Sequence, residues 1–94
     1  MSEIDELLDE LRGLSSATPR DAQELAELLL RIKSAAGHWA DVLYDVRRSA
    51  QRLAGPRAAA ALEIAFRKAE ESYIELEIAH GDVREVTGGG RRPG

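Results

Sequence analysis

The sequence predicts an all-α protein. A short N-terminal helix is expected to dock on a long antiparallel coiled-coil helical hairpin, and the hairpin is expected to pair into a dimeric helical bundle. Three observations carry this expectation. Ala, Leu, Glu and Arg dominate the 94 residues, with one Phe, one Trp and two Tyr, which is the composition of helix bundles and coiled coils. Two long heptad patterns flank Ala54-Gly55-Pro56. The residues of these two patterns also pair in mirror order about that tripeptide.

The first element spans about residues 3–14. Ser2 is a good N-cap with Asp5 three residues on, and Ile4, Leu7, Leu8, Leu11 and Leu14 fall on one helical face. Gly13 and the Ser15-Ser16 pair end it. About 12 residues are too few for a stable isolated helix, so this one must dock, and the short link places it near the open end of the hairpin.

The second element is expected over about 19–54. Thr18 can cap, Pro19 suits the first helical position, and Asp21 favours the positive end of the helix dipole. Ala22, Leu29, Ala36, Leu43 and Ala50 occupy a-like positions, and Leu25, Ile32, Trp39, Val46 and Leu53 d-like ones. Gly37 lies beside this seam, where it leaves room for an aromatic ring.

Gly at a helix end and Pro at the next helix start give the break, and the third element runs over about 56–86. Its a-like residues are Ala59, Phe66, Tyr73 and His80, and its d-like residues Leu62, Ala69, Leu76 and Val83. Folding back at Gly55-Pro56 pairs Val46 with Phe66, Leu43 with Ala69 and Trp39 with Tyr73, each pair of numbers summing to 112, twice that of Pro56. Large faces small repeatedly, as an interdigitated seam requires. Residues 1–86 thus form one helical domain, and the Gly/Arg-rich stretch 87–94 reads as a disordered tail.

Charge is segregated along the chain. Residues 1–30 carry 8 acids and 2 bases, residues 31–57 carry 6 bases and 2 acids, and residues 58–86 carry 7 acids and 3 bases. The net charge of −4 argues against non-specific nucleic-acid binding. The absence of cysteine excludes disulfides and thiolate metal sites and suits a reducing cytosol, where the protein is expected. The acidic start lacks a basic and an apolar signal region, and no apolar run approaches the ~20 residues that span a bilayer, so no membrane partner is expected. High Ala, Arg and Gly content points to a GC-rich bacterial or phage source.

No catalytic constellation can be assembled, so the chain is read as non-enzymatic, with no cofactor and no metal. His38 and His80 stand apart, and the one Glu-x-x-His pair, Glu77–His80, falls short of the repeated motif that di-iron bundles need. The expected function is protein–protein interaction or assembly, by homodimerisation or by docking on a helical partner. The residues assigned to this contact are the off-seam apolar ones: Val42, Tyr44 and Ile64 toward the tip, and Ile74 and Ile78, which the first helix can cover. The basic tip residues Arg47, Arg48, Arg52 and Arg57 supply an alternative, an accessory nucleic-acid contact, though aromatic stacking residues and a base-reading helix are missing there.

Tyr73-Ile-Glu-Leu-Glu77 fits the pattern Y-x-x-x-[D/E]. With a hairpin of this size it resembles the WXG100-type substrates of actinobacterial type VII secretion, which carry such a signal after the second helix. That resemblance implies a secreted helical hairpin as a further alternative. The family's turn is built around Trp-x-Gly, whereas this turn is Ala54-Gly55-Pro56 and Trp39 lies mid-helix.

Overall fold

The computed structural model describes residues 2–14 and 16–89. They form three helices, α1 (Glu3–Leu14), α2 (Ala22–Leu53) and α3 (Pro56–Gly89), and no strand among the described residues. The two long helices form an antiparallel hairpin, and α1 lies along α2.

The caps explain the helix starts. Ser2 Oγ accepts from the Asp5 amide at 3.1 Å, and the Asp5 carboxylate accepts from the Ser2 amide, so the first helix opens on a capping box. The second helix begins later than the Thr18-Pro19 signal suggests. Asp21 is its N-cap, accepting from the Glu24 amide at 2.9 Å, while Glu24 reaches back to the Arg20 amide at 2.9 Å. Thr18 also has an acidic residue three positions on, but that residue, Asp21, is itself the cap, with Glu24 closing back on the amide before it. At the other end Gly55 has φ of +104°, a conformation that side-chain-bearing residues rarely adopt, and the Ala54 and Gly55 amides both donate to the Ala50 carbonyl. The third helix continues through Gly89, beyond the expected end near 86; residues 90–94 of the expected tail lie outside the described residues.

The mirror register holds in kind, but α2 is turned about its axis. Arg47 pairs with Glu63 at 3.0 Å, Tyr44 packs on Phe66 with ring centroids 5.5 Å apart, and Gly37 lies against the Tyr73 ring. Each of these pairs sums to 110 rather than 112. The seam of α2 therefore runs through Gly37, Ala40, Leu43, Tyr44 and Arg47: Leu43 keeps its expected place against Ala69, while Gly37, Ala40 and Arg47 stand where Ala36, Trp39 and Val46 were expected. Trp39 does not take the place opposite Tyr73, nor Val46 the place opposite Phe66. Three local demands set this rotation: the Tyr73 ring uses the space at Gly37, the Arg47–Glu63 ion pair closes near the tip, and Ala40 and Leu43 meet Ala69 with Leu62, Ala65 and Phe66 around them.

The first helix also lies elsewhere than expected. Glu10 reaches His38 and Gly13 approaches Arg31, so α1 runs antiparallel to the middle of α2 and leaves the open end bare. It buries Leu7, and on α2 Ala35 and Val42 are buried too, while Leu30, Ile74 and Ile78 stay exposed. Around the α2 axis, at 100° per residue, the mean direction of the α1-facing Arg31 and His38 lies roughly half a turn from that of the α3-facing Gly37, Ala40, Leu43, Tyr44 and Arg47. The three helices thus form a single flat layer, 56 × 29 × 15 Å, with a radius of gyration of 16.8 Å against about 12 Å for a compact chain of this length.

Candidate interaction surface

A single layer of helices has two faces and no interior. Among the described residues the buried ones are Leu7, Val42, Leu43 and five alanines, and no large side chain is fully enclosed. The chain exposes 6878 Å², roughly 1,500 Å² more than the surface expected of a folded 10.3 kDa protein.

Much of the exposed apolar material lies on one face. A groove of about 500 Å³ runs between α1 and α3 with α2 as its floor. Leu7, Leu8, Leu11 and Leu14 form one wall, Ile32, Ala36 and Trp39 the floor, and Ser72 and Leu76 the other wall. Trp39 is 46 % exposed at its centre. The groove floor belongs to the heptad stripe expected to meet α3. Of that stripe Leu43 does meet α3, whereas Ile32, Ala36 and Trp39 line the groove, because α1 and α3 take the flanks of α2.

The sequence-predicted contact residues fall in different places. Val42 is only 5 % exposed, so its side chain is not part of a free surface as expected; it lies on the buried flank toward α1. Tyr44 is partly exposed but engaged with Phe66 and Arg47. Ile64, Ile74 and Ile78 are exposed. At the tip, Arg47 is held by Glu63 and stacked on Tyr44, with its Nε buried and without a hydrogen bond, so it is a structural cation. Arg48, Arg52 and Arg57 are exposed. Tyr73 is half-buried within α3, and Lys33 lies over its ring at 5.9 Å.

His38 Nδ1 and Glu10 Oε1 are 2.7 Å apart, the ionic tie between α1 and α2. The hydrogen bond to Glu10 and the charge of that carboxylate raise the His38 pKa above 6.5, with smaller help from Asp41 and Glu6 and against a small desolvation effect. Among the described residues no group of three or more metal-ligating side chains comes together, and no helix is long and apolar enough to cross a membrane.

The Trp39 groove is what sequence reasoning missed. Its signal was present in Gly37, which marks the side of α2 that a ring approaches. Comparison with protein-family models, with curated proteins and with solved structures yields no match to this chain.

Proposed function

We propose that the protein is a non-enzymatic assembly module that works by seating a helical partner on the apolar face centred on Trp39. The observation that supports this is the unfilled groove between α1 and α3, floored by Ile32, Ala36 and Trp39. A partner helix laid there would supply the second layer, in the manner of coiled-coil and bundle packing. Isolated surface apolars are ordinary, whereas a contiguous apolar groove with a half-exposed Trp marks an interface.

Trp39→Glu tests the reading. The expected result is that the variant keeps its helical circular dichroism, while the larger species formed by the wild-type chain, alone or in an extract of its own cells, disappears. A wild-type chain that keeps the mass of one protomer under both conditions would refute the proposal.

A further inference from the structure

We propose that the occupant of this face is a second copy of the same chain, laid antiparallel across it about a two-fold axis at Trp39. This rests on the assembly reading above and names the partner. Three independent features of the chain support it.

The first is the symmetry of the α2 stripe about Trp39, which stands near the middle of Ala22–Leu53. Ile32 and Val46 lie seven residues to either side of it, and Leu25 and Leu53 fourteen. A two-fold axis at Trp39, perpendicular to the helix, would place Ile32 against the partner's Val46 and Leu25 against the partner's Leu53. Val46 is partly exposed and Leu53 is 78 % exposed, so both have apolar surface left to cover.

The second feature is charge. In the observed α2/α3 register, residue 71 of α3 lies level with Trp39. The α3 edge of the groove is marked by Ser72 and Leu76, and the helical neighbours of Ser72 along that edge are Lys68 and Glu75. Lys68 lies three residues before that level and Glu75 four after it, and both are exposed. The same two-fold axis would bring Lys68 of one copy beside Glu75 of the other, twice. Farther out, Arg57 stands on the tip side and Asp82 on the open side, so the basic half of each α3 would cover the acidic half of its mate. A parallel pairing would set the basic tips against each other, which like-charge repulsion opposes.

The third is area. A stable interface removes about 800 Å² from each partner. The excess surface of roughly 1,500 Å² exceeds that requirement.

The chain has no cysteine, so introduced ones report position directly. Wild-type protein is expected to sediment as a dimer at micromolar concentration, and Trp39→Glu and Lys68→Glu to weaken it, the latter by roughly tenfold in Kd. Combining Lys68→Glu with Glu75→Lys in the same chain restores the pair with its sign reversed and should recover the dimer, while Ile74→Glu, on the opposite face beside Gly37 and Asp41, leaves it intact. Mixed Ile32→Cys and Val46→Cys variants should join through a short bis-maleimide, and neither should join to itself. A monomeric mass, self-linking of Val46→Cys, or a double charge variant no better than Lys68→Glu would overturn the proposal. If the purified chain stays monomeric but a larger, Trp39-dependent complex forms in extract, the antiparallel pair is wrong and the assembly reading stands.

Discussion

Replacing Gly81 and Gly37 with alanine, one at a time, measures how tightly the hairpin seam is closed. Both glycines lie within long helices and neither has a positive φ, so alanine relieves the same backbone cost at each, about 1 kcal/mol. The surroundings differ. A Cβ at Gly81 meets nothing within 4 Å, whereas one at Gly37 stands 3.4 Å from Cε1 and 3.6 Å from Cδ1 of Tyr73. Those are ordinary contact distances at their short end, so the methyl is accepted with little slack. Gly81→Ala should therefore stabilise by about 1 kcal/mol, a rise of about 4–8 °C in Tm for a domain of this size. Gly37→Ala should gain less, between zero and about 1 kcal/mol, because the ring must be accommodated. Denaturant titrations followed by circular dichroism at one fixed protein concentration would give both values. A loss of more than about 1 kcal/mol for Gly37→Ala would show that no room for a methyl exists at Tyr73 and refute the register built on that contact.

Two further outcomes follow from the caps and the α1 tie. Asp21→Ala removes the acceptor for the Glu24 amide and should cost about 1 kcal/mol by chemical denaturation, while Thr18→Ala, outside the observed cap, should leave stability unchanged. The raised pKa of His38 means that its contribution is fully present below pH 6.5 and is lost as the pH rises through the folded-state value. Thermal melts of wild type and His38→Gln should therefore differ most on the acidic side of that window and converge above it; a difference that grows toward alkaline pH would contradict the Glu10 contact.

The helices, the glycine turn and the heptads were legible because each rests on local chemistry: a capping pair, a Gly-Pro break, an apolar period. The rotation of α2 was not. Its apolar residues spread around more than one face, so Leu43 could pack on α3 with either Ala36 and Trp39 or Gly37 and Ala40 beside it. The choice between them depended on Tyr73, Arg47 and Glu63, three side chains far apart in sequence, and on which flank α1 would take. Val42 shows the consequence: off the heptad seam, it reads as surface, yet it lies on the buried flank. The candidate surface was legible as a set of apolar residues and as a need for a partner, but its centre moved from the tip to Trp39.

The turn at Gly55 also sets how the chain can fold. Arg47 and Glu63 are 16 residues apart in sequence, Tyr44 and Phe66 are 22 apart, and Gly37 and Tyr73 are 36 apart. Each successive contact away from the tip closes only a slightly larger loop than the last, so the entropy of closure is spread over many small increments. The hairpin can zip from its tip outward, with the ion pair and the aromatic pair as the first rungs. Contacts ordered in this way belong with fast-folding helical proteins. The open end, where α2 begins at Ala22, would then be the last part to close and the first to open.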